Sequence, residues 1–272
     1  KFNRQSQQFE RYGNKDLKDP NIRSMAVDYS GNLLIGTTYG YFILFETGEE
    51  KISDFLCLDI DSIKGSSIIG ICPEKDGTVW LGMQVNGGVL HFDPGRGEGT
   101  RYFKNGDPER SLSSNDVLSL LNDGRHLWIG TKNGLNILDK ETGLIRVLDE
   151  EDGLADRAVP GMEKDQEGNL WITTIKGLSR YETGTGHFYN YDHNDGVLEN
   201  CNASWKDRDG NIYFGGINGM FSFSPSGIRD NPNIPPVVLT GLSIFNEPVI
   251  PGQDGSPLDK HINRTKSLEL KH

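Results

Sequence analysis

The chain has 272 residues, 35% of them hydrophobic, with 34 glycines and a formal net charge of −11. Like charge opposes unassisted association with nucleic acid or an anionic membrane surface, so neutral or cationic ligands fit better. No apolar stretch approaches the length that crosses a bilayer, and the opening KFNRQSQQFERYG lacks an apolar signal core, so the chain reads as soluble and as cut from something longer.

Residues 7–12, QQFERY, read as an outer β-strand with no blade of its own. One phrase then recurs five times: a turn carrying Asp or Glu and Gly, an apolar strand, a short polar hairpin, and a second strand. It runs as GNLLIGTTYGYFILF from Gly31, GTVWLGMQVNGGVLHF from Gly77, RHLWIGTKNGLNIL from Arg125, GNLWITTIKGLSRY from Gly168 and GNIYFGGINGMFSF from Gly210. A strand-only period of roughly forty residues is the length of one four-stranded propeller blade.

Stacking the copies gives columns with physical meanings. Leu34, Trp80, Trp128, Trp171 and Tyr213 form one column; Ile35, Leu81, Ile129, Ile172 and Phe214 form the next. Adjacent residues of a strand point to opposite faces, so such a strand needs cover on both, which a blade between two blades receives. The tryptophans are therefore assigned to packing between blades. Gly36, Gly82, Gly130 and Gly215 close that strand, and Thr173 replaces Gly in the fourth copy.

Upstream of each turn lies a small mixed strand suited to the axis, beginning near Ile22, Ser67, Asp116, Val159 and Ala203. Outer strands follow in four copies, from Lys51, Thr100, Leu144 and His187. The repeats thus span 22–57, 67–104, 115–149, 159–191 and 203–225. The fifth lacks an outer strand, and residues 7–12 supply one, either to this last blade, closing a ring, or to a blade that is missing. The fold class is all-β: a propeller of four-stranded blades over 1–233, about five present and open to being part of a larger ring. From 234 to 272 the pattern changes, Pro235-Pro236 reading as a stiff linker before the beginning of a β-sandwich domain.

The phrase D-x-x-G-N-L-W-I-G-T-x-x-G-L, clearest over Asp165 to Leu178 and Asp123 to Leu135, resembles the two-component regulator propeller repeat. The segment PPVVLTGLSIFNEPV from Pro235 resembles the opening of the Y_Y_Y domain that follows such propellers. The resemblance implies the periplasmic sensor region of a Bacteroidetes-type hybrid two-component system. It further implies homodimerisation through the parent protein, recognition of an oligosaccharide, contact with the membrane only through a transmembrane segment outside this chain, and a cytoplasmic histidine kinase. No kinase motif is present here, and this family usually carries more than five blades.

Ligands of propellers gather where hairpins and connections open around the axis. The candidates there are Tyr39, Asn86, Lys132, Asn133, Lys176 and Asn218 on hairpins and His193 and Asn202 on connections. Asn donates and accepts, and Tyr stacks on a sugar face; equally, Asn, Lys and Gly are what hairpin turns demand of the backbone. Trp205 is expected to fill the axial channel.

A propeller lyase or glycosidase is the alternative, and a protein-interaction scaffold the second. An enzyme needs a placed base or a carboxylate pair, and of the histidines only His193 lies on the ligand-type face, so no catalytic residue is assigned. No motif calls for a metal or a cofactor. Cys57, Cys72 and Cys201 have no C-x-x-C spacing and read as buried structural thiols.

Overall fold

The computed structural model describes residues 2–3, 5–9, 19, 21–49, 51–57, 65–228, 239–253, 256–265 and 267–268. Lys1–Gly227 and Ile228–His272 form two compact units. In the first, antiparallel sheets follow the chain. Blade one is Ile22–Val27, Leu33–Thr37, Tyr41–Glu46 and Lys51–Cys57, and blade two is Ile68–Pro73, Val79–Met83, Gly88–Asp93 and Glu98–Tyr102. Blade three is Val117–Asn122, His126–Thr131, Gly134–Asp139 and Ile145–Leu148. Blade four is Gly161–Lys164, Leu170–Thr174, Gly177–Glu182 and His187–Tyr191, and blade five is Cys201–Lys206, Ile212–Gly216 and Gly219–Phe223. Within each sheet the strands pair in chain order, and the innermost strand of each blade touches that of the next. The fold is therefore a five-bladed all-β propeller.

Why the repeat folds this way is visible in its first turn. Asp165 Oδ1 accepts hydrogen bonds from the backbone N–H groups of Glu167 and Asn169, at 3.0 and 2.8 Å. Gly168, at φ 92°, takes the left-handed position that such a turn requires. Asp28 repeats the arrangement with Ser30 and Asn32, both at 2.8 Å. The following strand then buries both faces, as its two apolar columns require: Trp80, Trp128 and Trp171 are 2%, 4% and 1% exposed, and their neighbours Leu81, Ile129 and Ile172 are fully buried.

The cores lie between blades. Leu34 and Phe42 of blade one pack with Ile68, Val79 and Leu90 of blade two. Trp128 and Leu135 of blade three pack with Met162, Leu170 and Tyr181 of blade four. Polar ties cross the same gaps: Lys140 Nζ reaches Glu74 at 2.6 Å, Lys164 Nζ reaches Asp123 at 2.7 Å, and the Ser119 hydroxyl donates to Val159 O at 2.7 Å.

Near the axis two strands approach too closely for side chains on both. A Cβ on Gly36 would come within 2.5 Å of Ser24 Oγ and 2.6 Å of Ile68 Cγ2. In blade four the roles are exchanged: Thr173 faces Gly161, and its hydroxyl donates to Gly161 O at 3.2 Å. The one departure from glycine in that column is thus matched by a glycine across the pair.

The end blades differ. Gln8–Phe9 pairs with Phe2–Asn3, whereas blade five has three strands among the described residues; residues 10–12 lie outside them. Asn3 faces Gln8 with the same spacing by which Asp93 faces Glu98 and Glu182 faces His187 in blade outer hairpins. Trp205 does not fill the channel. Its neighbour Ser204 donates to Met162 O of blade four, so alternation turns Trp205 to the opposite face, where it is 60% exposed and 5.3 Å from the Tyr213 ring.

In the second unit Ser243–Ile244 pairs with Glu247–Pro248 across Phe245 and Asn246, both in the left-handed region at φ 50° and 65°. The linker Pro235-Pro236 lies outside the described residues. No described helix is long and apolar enough to cross a membrane.

Candidate functional site

The inner strands of all five blades line one channel of about 820 Å³. Its mouth has a regular origin. In blades one, two, three and five the pairing of the inner strand skips one residue: Arg23 between Ile22 and Ser24, Ile69 between Ile68 and Gly70, Leu118 between Val117 and Ser119, and Asn202 between Cys201 and Ala203. A bulge of this kind re-aims one side chain out of the alternation. Each skipped residue lines the channel, as does Pro160 just before Gly161 in blade four. The result is a collar with an apolar middle, Ile69, Leu118 and Pro160, flanked by Arg23 and Asn202.

Glu163 lines the same channel. Burial pushes its carboxyl above the usual range, partly offset by the neighbouring Ser204 hydroxyl and the charge of Lys206. The Ser24 and Ser204 hydroxyls that line the channel are occupied by carbonyls of neighbouring blades, Ile68 O and Met162 O. The collar's polar capacity toward a ligand therefore rests on Arg23 and the exposed Asn202.

Of the residues singled out in the sequence, Asn202 is the one that lines this channel. Asn86 and Lys132 come together at Asp116, which accepts from the Asn86 backbone N–H at 3.2 Å and from Lys132 Nζ at 2.8 Å. These bonds hold the Asp116 carboxyl below its usual range, Lys132 foremost. Asn133, next in the hairpin, donates its backbone N–H to Thr131 Oγ1 at 3.0 Å. Lys176 lies 3.3 Å from Glu150 and 3.6 Å from Asp156. Tyr39 is 62% exposed and its backbone N–H donates to buried Asp19 at 2.9 Å. His193 opens the short helical turn His193–Asp195, and Asn218 sits exposed on the last hairpin. These seven are spread over five hairpins and one connection, and no described cavity gathers them.

Arg23, Ile69 and Glu163 were not singled out by sequence reasoning. The signal available was the small residue after each skipped position, Ser24, Gly70, Ser119 and Ala203, which marks the bulge but not its direction.

Of the further cavities between blades, two are the larger. The cleft between blades three and four, about 830 Å³, has Trp128 and Tyr181 among its walls and the polar groups Asp123, His126, Asp139 and Lys164. Asp123 and Asp139 there are committed. Arg125 binds Asp139 at 2.8 Å and holds its carboxyl down at about 2. Burial pushes Asp123 up, but hydrogen bonds from Lys164, Trp128 and the His126 backbone outweigh it and keep it below the usual range. Neither is a free base. The gap between blades one and two holds a smaller cavity of about 170 Å³. Cys72 is half-buried on the channel wall rather than fully buried, and desolvation pushes its thiol up to about 12.

A stack of four-stranded blades whose inner strands share one channel defines the propeller class. Within that class, residues 111–133 match the family described as two component regulator propeller, so the chain carries that repeat. Histidine kinase P4 of Formosa agariphila is 32% identical over 261 residues, an alignment covering 75% of this chain and 19% of that protein. The chain thus spans about a fifth of the length of this relative. Among solved structures, the extracellular domain of BT4673 from B. thetaiotaomicron, assigned to a hybrid two-component system, superposes with a TM-score of 0.64. It is 18% identical, with 76% of this chain and 30% of that one covered. Virginiamycin B lyase of Staphylococcus aureus superposes at 0.56 with 13% identity, covering 76% and 71%. At these identities the structural likenesses concern the fold.

Proposed function

We propose that the chain is the extracytoplasmic sensor propeller of a hybrid two-component histidine kinase, and that it binds a glycan-derived oligosaccharide at the collar of the central channel. The observation that carries this reading is the set of bulges that turns Arg23, Ile69, Leu118 and Asn202, beside Pro160, into one opening. Apolar surface for the C–H face of a sugar, with Arg and Asn at its margins, suits hydroxyl recognition. Tyr39, Asn86, Lys132, Asn133, Lys176, His193 and Asn218 form the hairpin rim around it in this reading. The likeness to histidine kinase P4 supports the coupling to a kinase, and residues 234–272 are the start of the Y_Y_Y domain that passes the signal, in a periplasmic homodimer. The N-terminal hairpin has the register of a blade's third and fourth strands, which supports placing these five blades in a larger ring.

The test is thermal unfolding of the full chain against a panel of oligosaccharides, followed by chromatography of the recovered sugar. Saturation at about a hundred times Kd stabilises by about 2.7 kcal/mol, so a hit raises the midpoint by about 5–10 °C and returns the sugar unchanged. Turnover, lost in His193→Ala, would establish the lyase or glycosidase reading instead.

A further inference from the structure

The first blade departs from the others at the tryptophan column, and the departure leaves a cavity. In blades two, three and four the indole N–H is held by the carboxylate of the preceding turn. Trp80 donates to Glu74 at 2.9 Å, Trp128 to Asp123 at 2.8 Å, and Trp171 to Asp165 at 2.9 Å. Tyr213 makes the corresponding bond to Asp207 through its hydroxyl at 3.1 Å. Blade one keeps the carboxylate, Asp28, with its turn contacts, but has Leu34 where the ring would be.

Among the described residues Asp28 Oδ2 has one hydrogen bond, from Asn32 Nδ2 at 3.2 Å. The equivalent oxygen of Asp165 receives both Asn169 Nδ2, at 3.1 Å, and the indole. Among the described residues no lysine reaches Asp28 as Lys140 reaches Glu74 and Lys164 reaches Asp123. Phe42 occupies the place held by Val89, Leu135 and Leu178 in the next three blades, each opposite the strand-closing residue. It takes part of the space, and a cavity of about 170 Å³ remains, walled by Leu34, Phe42, Leu44 and Val79 and bordered by Asp28 and Lys75. Apolar protein cavities of about 150 Å³ accept a benzene-sized molecule.

We propose that this gap between blades one and two is a binding site for an indole-type ring, a planar aromatic heterocycle whose N–H is donated to Asp28. The chain itself supplies the template three times over. The ring inserts between Leu34, Leu44 and Val79, and its N–H takes the position that Trp171 Nε1 takes on Asp165. Both a free small indole and the tryptophan side chain of a peptide offer this chemistry. The site adjoins the channel, with Asp28, Tyr29 and Pro73 on the wall between them, and does not depend on the reading of the channel as a sugar site.

Titration calorimetry of the full chain with indole, 1-methylindole and N-acetyltryptophanamide tests it. Indole is expected to bind with millimolar or better affinity. Binding of 1-methylindole, of nearly the same shape but without the donor, is expected to be weaker by at least about tenfold, because a hydrogen bond to a carboxylate is lost. N-Acetyltryptophanamide separates the sources: binding comparable to indole assigns the site to a tryptophan side chain, and its exclusion assigns it to a free ring. Asp28→Asn keeps the turn acceptor and is expected to reduce the preference of indole over 1-methylindole. Leu34→Trp fills the gap with the chain's own ring and is expected to abolish indole binding while raising the unfolding midpoint. Absence of indole binding to the unaltered chain, or equal affinity for 1-methylindole, would overturn the proposal without recourse to either variant.

Discussion

Blades four and five carry the same repeat and end in different environments. In blade four the second strand is buried throughout and the third nearly so; in blade five the third strand, Gly219–Phe223, alternates between exposed and half-buried residues. Trp171 meets Tyr191 of its own blade and Phe223 of the next, whereas Tyr213 has only Trp205, itself largely exposed, as a described ring partner. Blade one shows the mirrored case, with Met25 and Val27 of its inner strand 63% and 62% exposed. The blade is therefore a local habit of the sequence, while its stability comes from a neighbour on each side.

That contrast can be broken most forcefully at the buried indoles. Trp171→Ala removes a fully buried ring and leaves Asp165 without its donor, so denaturant unfolding is expected to lose about 3–5 kcal/mol. Trp205→Ala is expected to cost less than about 1 kcal/mol, in the range of exposed positions. Equal losses at the two sites would show that blade five is covered in solution.

Close packing at the axis gives the next effect. Gly36→Ala is expected to cost about 1–3 kcal/mol through its clash with Ser24 and Ile68, and the added change Ser24→Gly is expected to recover part of that loss by imitating the Gly161 and Thr173 pair. Failure of the second change to help would mean that the limit is set by Ile68 alone.

The polar ties give a pH dependence. The folded pKa of Asp123 lies below its ordinary value of 3.8, so its contribution is fully present above that value and is lost as pH falls through the depressed folded value. Lys164→Met is expected to destabilise the chain by about 1–3 kcal/mol at neutral pH and to flatten the acid limb of the stability profile. An unchanged acid limb would remove Lys164 as the cause.

Much of the blade architecture was legible because each blade repeats the same local problem. A strand apolar on both faces, the turn carboxylate and glycine, and the near-axis small residues are all written in adjacent positions. What escaped depended on relations across pairs. Thr173 is explained only by Gly161 opposite it. Arg23 and Ile69 enter the channel only because the pairing slips by one residue, and a slip leaves no mark on composition. Trp205 was read as a channel filler because the sequence does not state which face of blade five lacks a neighbour. Among the hairpin candidates, the side chains of Lys132 and Lys176 are held by Asp116 and Glu150, and the backbone N–H groups of Tyr39 and Asn86 by Asp19 and Asp116, partners that lie far off in the sequence.

The account turns on the collar as the place where a sugar is held. Calorimetric titration of a stabilising oligosaccharide into the unaltered chain and into Arg23→Ala and Asn202→Ala tests it most directly, since both residues lie outside the cores and the variants should keep their unfolding free energies within about 0.5 kcal/mol. The account predicts that each variant loses about tenfold or more in affinity, the worth of one good polar contact. Undiminished affinity in both would place the ligand elsewhere on the propeller.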